Sequence, residues 1–289
     1  MKHKTAFSLV EISVVILIIG ILVTGISKGV DLYNNFELSN ARNLTTNSRV
    51  NRIPNLTLWY ETTLEKSFDK KTLNNNDLID VWKDINPQRA EKYHASQADD
   101  NYKPRYITQA INNLPALRFE NDDILRTIKI NVTDFISYDQ ATIFLLHHSI
   151  TYTNSSIIQY GSSGENRLNI HAPWGGHGDI IYFDYGMDGA SYGRISSWQN
   201  PLKNYAKENK ILTFIKTPTQ MKFTVNVNEL SISGNTNTTL KSDYQPFRIG
   251  EGSNCYLGEL IIFDRALTDG EIKEVEDYLS KKWKIKLNR

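Results

Sequence analysis

The sequence Phe7-Ser8-Leu9-Val10-Glu11 opens an aliphatic run that continues to Ile26. The twenty residues from Phe7 to Ile26 would extend about 30 Å as a helix, which matches the hydrocarbon core of a bilayer. Glu11 is the single charged side chain in this segment. Because a charge at mid-membrane costs about 2.5–3.5 kcal/mol even on the most lenient scale, a carboxylate retained there indicates a function.

Together with its short basic leader, this segment resembles the N-terminal signal of type IV prepilins and pseudopilins. In that family a membrane peptidase cuts after a small residue, the new amine is methylated, and the glutamate satisfies the amine of a neighbouring subunit. The resemblance implies cleavage of the Ala6–Phe7 bond, a methylated Phe7 and an assembly role for Glu11. It also implies two kinds of partner, a prepilin peptidase and other pilin-like subunits.

Two departures from the family pattern refine this interpretation. Ala6 replaces the usual glycine before the cut, and Lys28 stands where many major pilins carry a proline. The second departure favours a minor pilin or pseudopilin. Two other interpretations stay open for the segment, which are an ordinary secretory signal peptide and an anchor that is neither cleaved nor assembled.

The charges around the apolar run predict its orientation. Lys2 and Lys4 precede the run, whereas a lone Lys28 follows it close to Asp31. The positive-inside rule therefore predicts a cytoplasmic N-terminus in the inner membrane. The head would be periplasmic or extracellular, and it would reach the cell surface after assembly into a pilus.

Composition restricts the function of the remaining residues. The chain has 33 Lys and Arg against 32 Asp and Glu, so no basic excess points to nucleic acid as a partner. The single cysteine, Cys255, excludes an intramolecular disulfide, and we expect it to be a reduced core residue. An intermolecular bond is the alternative for this cysteine.

The residues after the apolar run predict a helical stalk followed by a β-rich head. Residues 27–50 keep a loose helical spacing, which predicts an exposed continuation of the helix with a short neck around residues 43–51. Met221 to Asn228 alternates apolar and polar side chains as a half-buried strand does. Asp269 to Trp283 follows a capping-box sequence and carries one apolar face, which predicts a helix. Further predicted strands cover residues 141–150, 156–161, 168–172, 180–185, 211–216, 247–250 and 257–264.

Several motifs of the head resemble those of the concanavalin A-like lectin/glucanase superfamily, specifically laminin-G-like domains. They are Val81-Trp82-Lys83-Asp84, Leu114-Pro115-Ala116-Leu117-Arg118-Phe119 and Gly258-Glu259-Leu260-Ile261-Ile262-Phe263-Asp264. The resemblance implies an all-β jelly-roll sandwich with a C-terminal helix, preceded by a long transmembrane pilin-type helix. The expected organisation is a leader over 1–6, a helix and neck over 7–50, and the lectin-like domain over 53–289.

The carboxylates of the head do not reproduce a glycosidase motif. Enzymes of this superfamily carry Glu-x-Asp-x-x-Glu on one strand, and the chain contains no such string. Glu259 and Asp264 are five residues apart, so a strand would place them on opposite faces. We therefore expect no enzyme activity and no catalytic residue. A membrane-anchored glycan-processing enzyme is a remote alternative.

The segment from His171 to Asp179 is the best candidate for a ligand site in the head. Trp174 would stack on a pyranose ring, and Asp179 or Asp184 would bind hydroxyl groups or a calcium ion. The alternative is a tight hairpin in which Trp174 closes the edge of the core. Zinc at His171 and His177 lacks a third ligand, so we predict no metal site and no cofactor apart from the calcium alternative.

Two functions are consistent with these features. In the first, a pilin-like subunit of a type IV pilus or type II secretion-like machine displays a lectin-like head for adhesion to a glycan or a surface protein. In the second, the subunit is purely structural and the sandwich is a cap without a ligand. A cluster of exposed aromatic and charged side chains at one edge of the sandwich would favour the first.

Overall fold

A computed structural model describes residues 8–161, 167–175, 180–188, 191–198, 208–230, 232–234, 236–241 and 244–289. Its helices are α1 (Leu9–Thr46), α2 (Val132–Phe135) and α3 (Asp269–Trp283). The strands, in chain order, are β1 (Leu56–Glu61), β2 (Asp77–Leu78), β3 (Val81–Trp82), β4 (Ala95–Ser96), β5 (Arg105–Ile111), β6 (Leu114–Phe119), β7 (Leu125–Asn131), β8 (Ala141–Ser149), β9 (Ile158–Tyr160), β10 (Leu168–Trp174), β11 (Ile180–Asp188), β12 (Ser191–Ser196), β13 (Asn209–Lys216), β14 (Met221–Val225), β15 (Asn228–Glu229), β16 (Ser233–Gly234), β17 (Tyr244–Ile249) and β18 (Cys255–Phe263).

The strands form two antiparallel sheets, which confirms the predicted all-β sandwich with its two flanking helices. The first sheet has the order β15-β14-β13-β8-β18-β6-β5-β2, and β1 also pairs with β18. The second sheet has the order β16-β12-β11-β10-β9-β17-β7-β4-β3. The main core lies between the sheets, where alternate side chains of each strand meet, such as Ile143 and Leu145 of β8 and Phe183 of β11.

A second core covers the outer face of the first sheet. Side chains of opposite parity on the same strands, such as Phe144 of β8 and Ile261 of β18, pack under α3 through Leu279 and Trp283. The chain forms α3 over the predicted residues because Thr268 and Glu271 complete a capping box at its start. The first sheet is therefore covered on both faces, whereas no helix covers the outer face of the second sheet within the described residues.

The N-terminal helix has an exposed apolar part and a part that packs on the head. Residues 9–26 are all exposed, and α1 is long and apolar enough to cross a membrane. A membrane anchor and a signal sequence share this length and composition. The stalk, defined as α1 after Ile26, was predicted to be exposed with a neck near residues 43–51, but its upper half is not. Glu37, Ala41 and Thr45 are buried, because the helix lies against α3 and β6.

The strand predicted over residues 221–228 is also interrupted. Strand β14 ends at Val225, and Asn226 and Val227 take φ values of 49° and 69°. Two successive positive φ values form the tight hairpin turn that matches the twist of paired strands. The chain therefore reverses within the alternating pattern and returns as β15.

A buried ion network ties α3 to the first sheet. The Nζ atom of Lys282 lies 3.0 Å from Glu61 Oε2 and 2.9 Å from Glu259 Oε2, and all three side chains are fully buried. The indole Nε1 of Trp59 and of Trp283 donate to Glu259 at 2.7 and 2.8 Å. These neutral donors satisfy the carboxylate charge that one ammonium group leaves uncompensated.

The pH dependence of this network follows from Glu61. Burial alone raises the pKa of a carboxyl group, but Lys282 and hydrogen bonds from Ser67, Thr63 and Leu64 bring the pKa of Glu61 below its ordinary value of 4.5. A folded-state pKa below the unfolded value makes this contribution to stability complete above pH 4.5. The contribution is lost as the pH falls through the folded-state pKa.

Replacing Lys282 with methionine should lower the free energy of unfolding by about 3–5 kcal/mol, because two buried carboxylates lose their cation. Urea unfolding of the chain in detergent at neutral pH measures the change. The matched control is Lys281→Met, which alters an exposed neighbour on the same helix and should shift stability by no more than about 0.5 kcal/mol. Equal stability of the two variants would show that the network contributes nothing.

Candidate functional site

The outer face of the second sheet carries a cluster of polar and aromatic side chains on strands β10, β11 and β12. Alternation along these strands sends Ile170, Phe183 and Ile195 into the main core. The intervening side chains, His171, Tyr182, Asp184 and Arg194, therefore point to the outer face. Trp174 has the parity of the core residues, but the pairing of β10 with β11 shifts register between His171 and Trp174, and the Trp174 ring lies against His171 and Tyr182. The side chains that form the cluster, together with Arg167 just before β10, are His171, Trp174, Tyr182, Asp184 and Arg194.

Asp184 is the charged centre of this cluster. Its carboxylate is fully buried and accepts hydrogen bonds from Arg194 Nε at 2.5 Å and Arg194 Nη2 at 2.8 Å. It also accepts a hydrogen bond from Arg167 Nε. Burial raises the pKa of a carboxyl group, but hydrogen bonds from Arg194 and the positive charges of Arg167 and Arg194 hold the pKa of Asp184 well below its ordinary value. Asp184 therefore holds two arginines in place, and it does not offer its oxygens to a sugar or a calcium ion as the sequence suggested.

His171 uses both ring nitrogens within the protein. Its Nδ1 lies 2.9 Å from the carbonyl oxygen of Ser155, and its Nε2 lies 3.1 Å from Nη2 of Arg167. The carbonyl can only accept and the guanidinium can only donate, so the ring that fits both carries its proton on Nδ1. Both ring nitrogens of His171 are thus occupied by partners within the protein. The other residue of the zinc alternative, His177, lies outside the described residues.

The partly exposed surface of the cluster consists of two aromatic rings, Trp174 and Tyr182, and the guanidinium group of Arg194. We call it the aromatic surface. Trp174 meets the ring of His171 edge-on with centroids 4.9 Å apart, and it meets Tyr182 at 6.0 Å. The guanidinium of Arg194 lies over the Tyr182 ring, 4.8 Å from its centroid. Trp174, Tyr182 and Arg194 are all partly exposed. This surface offers ring faces beside hydrogen-bond donors, which is the combination that binds sugars.

The remaining predicted site residues lie elsewhere. Glu11 is in the first turn of α1, where its Oε2 accepts the Ser8 amide at 2.7 Å while Ser8 Oγ accepts the Glu11 amide at 3.2 Å. Ala6, Phe7 and Asp179 lie outside the described residues. Within the described part of the chain, no three His, Cys, Asp or Glu side chains come together as a metal site. Cys255 is buried as predicted, and burial raises the pKa of its thiol.

A row of polar residues across the second sheet was not predicted. Each member pairs with the next on neighbouring strands of the ladder, and the row is Ser96, Arg126, Arg248, Gln159, Asn169, Asp184 and Arg194. The sequence signal that could have predicted members of this row is a single polar residue between two apolar neighbours, such as Asp184 between Phe183 and Tyr185. The sequence does not contain the strand order that aligns them.

Comparison with known proteins gives the fold of the head. No protein-family model matches the chain, and no curated protein matches it either. A mutant of Trypanosoma rangeli sialidase displaying trans-sialidase activity superposes with a TM-score of 0.51 at 14% identity, over 88% of this chain and 39% of its own. The binding domain of botulinum neurotoxin serotype D/C has a TM-score of 0.49 at 12% identity, over 80% of this chain and 53% of its own. The chain thus spans about half or less of the length of these structures, and the likeness to the sialidase is one of β-sandwich fold.

Replacing Asp184 with asparagine should lower the free energy of unfolding by about 3 kcal/mol, since two guanidinium groups lose the charge that they share. The pKa of Asp184 is lowered on folding, so this stability should be complete above its ordinary value of 3.8 and disappear as the pH falls further. Urea unfolding at neutral pH and at low pH measures both effects. The control Asp122→Asn changes an exposed aspartate and should have little effect; a matching loss in both variants would contradict the assignment.

Proposed function

We propose that this chain is a pilin-like subunit whose N-terminal helix is a membrane anchor and whose lectin-like head binds a glycan or a surface protein. The observation that carries the proposal is the position of Glu11, a lone carboxylate in the first turn of a helix whose apolar residues 9–26 are all exposed. Such a helix requires an apolar environment, and the carboxylate requires a cationic partner there.

The amine of a neighbouring subunit would be that partner. Cleavage after Ala6 would place a new N-terminal ammonium at Phe7, four residues before Glu11. An ammonium and a carboxylate that are each costly in hydrocarbon offset one another when two helices pack together. Prepilin peptidase and other pilin-like subunits are therefore the proposed partners, and the head would lie on the far side of the membrane.

Replacing Glu11 with glutamine separates charge from helix capping. Glutamine at this position still completes a capping box with Ser8, so insertion and cleavage at Ala6–Phe7 should persist. Incorporation into filaments should fall by about tenfold or more, because the neighbouring ammonium loses its counter-charge. Intact mass of membrane-extracted protein reports cleavage and methylation, and quantitative immunoblotting of sheared filaments reports incorporation.

The control is Ser8→Ala, which removes the hydroxyl of the same capping box and keeps the carboxylate. This variant should assemble nearly as well as the unaltered chain. Normal incorporation of Glu11→Gln would refute the assembly role. Recovery of the chain only with Met1 in cells that have an active prepilin peptidase would refute the processing.

The aromatic surface around Trp174 is the proposed ligand site of the head. Stacking on an aromatic ring adds about 0.5–1.5 kcal/mol beyond area burial, so single-site affinity should be weak, and display on a filament would raise it by avidity. We assign the head no catalytic role. The buried position of Glu259 supports this assignment, because its carboxylate is enclosed by Trp59, Lys282 and Trp283.

A glycan array probed with the multimerised chain in detergent, with and without calcium, tests this site. Trp174→Ala and Tyr182→Ala should each reduce binding by about tenfold, because each removes a ring face. Tyr102→Ala is the matched control, since Tyr102 is an exposed tyrosine outside the cluster, and it should leave binding unchanged. If no glycan or surface protein binds and Trp174→Ala changes only the melting temperature, the head is a structural cap.

A further inference from the structure

A groove separates the stalk from the lower part of the head. It has a volume of about 510 Å³. Its helical wall is one face of α1, because residues spaced by three and four lie on the same side of a helix. The head contributes the segment 63–73 that follows β1. The helix residues that line the groove are Asp31, Asn34, Asn35, Leu38 and Arg42.

The head segment that lines this groove carries more lysines than acidic residues. Its two acidic residues are already paired, Glu65 with Arg42 at 3.0 Å and Asp69 with Lys83 at 2.6 Å. The segment also carries three exposed lysines, and within the described part of the chain none of them lies within ion-pair distance of a carboxylate. They are Lys66, Lys70 and Lys71.

The residues that line the groove indicate how far Lys70 and Lys71 lie from Ile26, the last residue of the apolar run. Lys70 and Lys71 share the groove with Asp31 and Asn35, which follow Ile26 by about 7 and 13 Å along the helix. A headgroup layer is about 5–7 Å thick, and the Debye length at physiological salt is about 8 Å. The ammonium groups therefore lie within electrostatic reach of the headgroups when the residues up to Ile26 fill the hydrocarbon core.

We propose that Lys70 and Lys71 form a docking surface for anionic phospholipid headgroups, on the side of the membrane that the head occupies. The proposal rests on the anchor role of α1 proposed above. The lysines would hold the lower end of the head against the bilayer and limit the tilt of the stalk. Charge complementarity favours a lipid surface, since the cations of the segment 65–73 are in excess over its acids, which are already paired.

The test places the full chain in nanodiscs that hold one copy each. A nitroxide at Thr72→Cys reports contact with headgroups through relaxation by a gadolinium-headgroup lipid, and Cys255 stays unlabelled because it is buried. We expect strong relaxation in discs that contain phosphatidylglycerol and weak relaxation in pure phosphatidylcholine. The double variant Lys70→Gln/Lys71→Gln should reduce contact by about tenfold in the anionic discs, and high salt should do the same.

The control Lys129→Gln/Lys222→Gln removes two lysines that do not line the groove and should leave the relaxation unchanged. Equal relaxation in neutral and anionic discs, with the chain inserted, would overturn the headgroup proposal and leave the anchor intact. A chain that does not insert into the discs would refute the anchor and this proposal together. One copy per disc excludes contact with a second chain as the source of the signal.

Discussion

The ammonium group of Lys282 is the constraint on which the position of every element outside the sandwich depends. It lies between Glu61 of β1 and Glu259 of β18, and all three side chains are inaccessible to water. A buried ion pair of this kind is costly to form unless its geometry is complete. The indole donors of Trp59 and Trp283 complete it, so α3 has one position on the first sheet in which all these polar groups are satisfied.

The same network extends to the stalk. The hydroxyl of Tyr278 donates to Glu259 at 2.7 Å and lies 3.1 Å from the hydroxyl of Thr45 on α1. About two helical turns closer to the N-terminus of α1, Lys284 pairs with Glu37 at 2.5 Å. The stalk is thus attached to the head along its upper half and not only at its end. Because the attachment is rigid, the distance from the apolar helix to the lower surface of the head is set by the fold.

The elements that the sequence predicted well are those with a local signal. The spacing of Ile272, Val275 and Leu279 after a capping box predicted α3, and the alternation that begins at Met221 predicted β14. The partners of buried charges had no such signal. The spacing of Glu259 and Asp264 along one strand can be derived from the sequence. The contact of Glu259 with Lys282 cannot, because it depends on how α3 crosses the sheet. The sequence predicts Asp184 at a ligand surface, because the pairing of strands that brings Arg167 and Arg194 onto its carboxylate has no local sequence signal.

Each sheet carries one buried charge centre on its outer face, Lys282 with its two carboxylates on the first sheet and Asp184 with its two arginines on the second. The network of Lys282 lies under α3 on the outer face of the first sheet, and α3 and the upper half of α1 cover much of that face. The second sheet keeps its outer face, where Asp184 holds Arg194 over Tyr182 beside Trp174. A side chain fixed in this way loses little conformational entropy when a ligand arrives. The proposed ligand site is therefore on the second sheet, because the first sheet carries α3 and the stalk on its outer face.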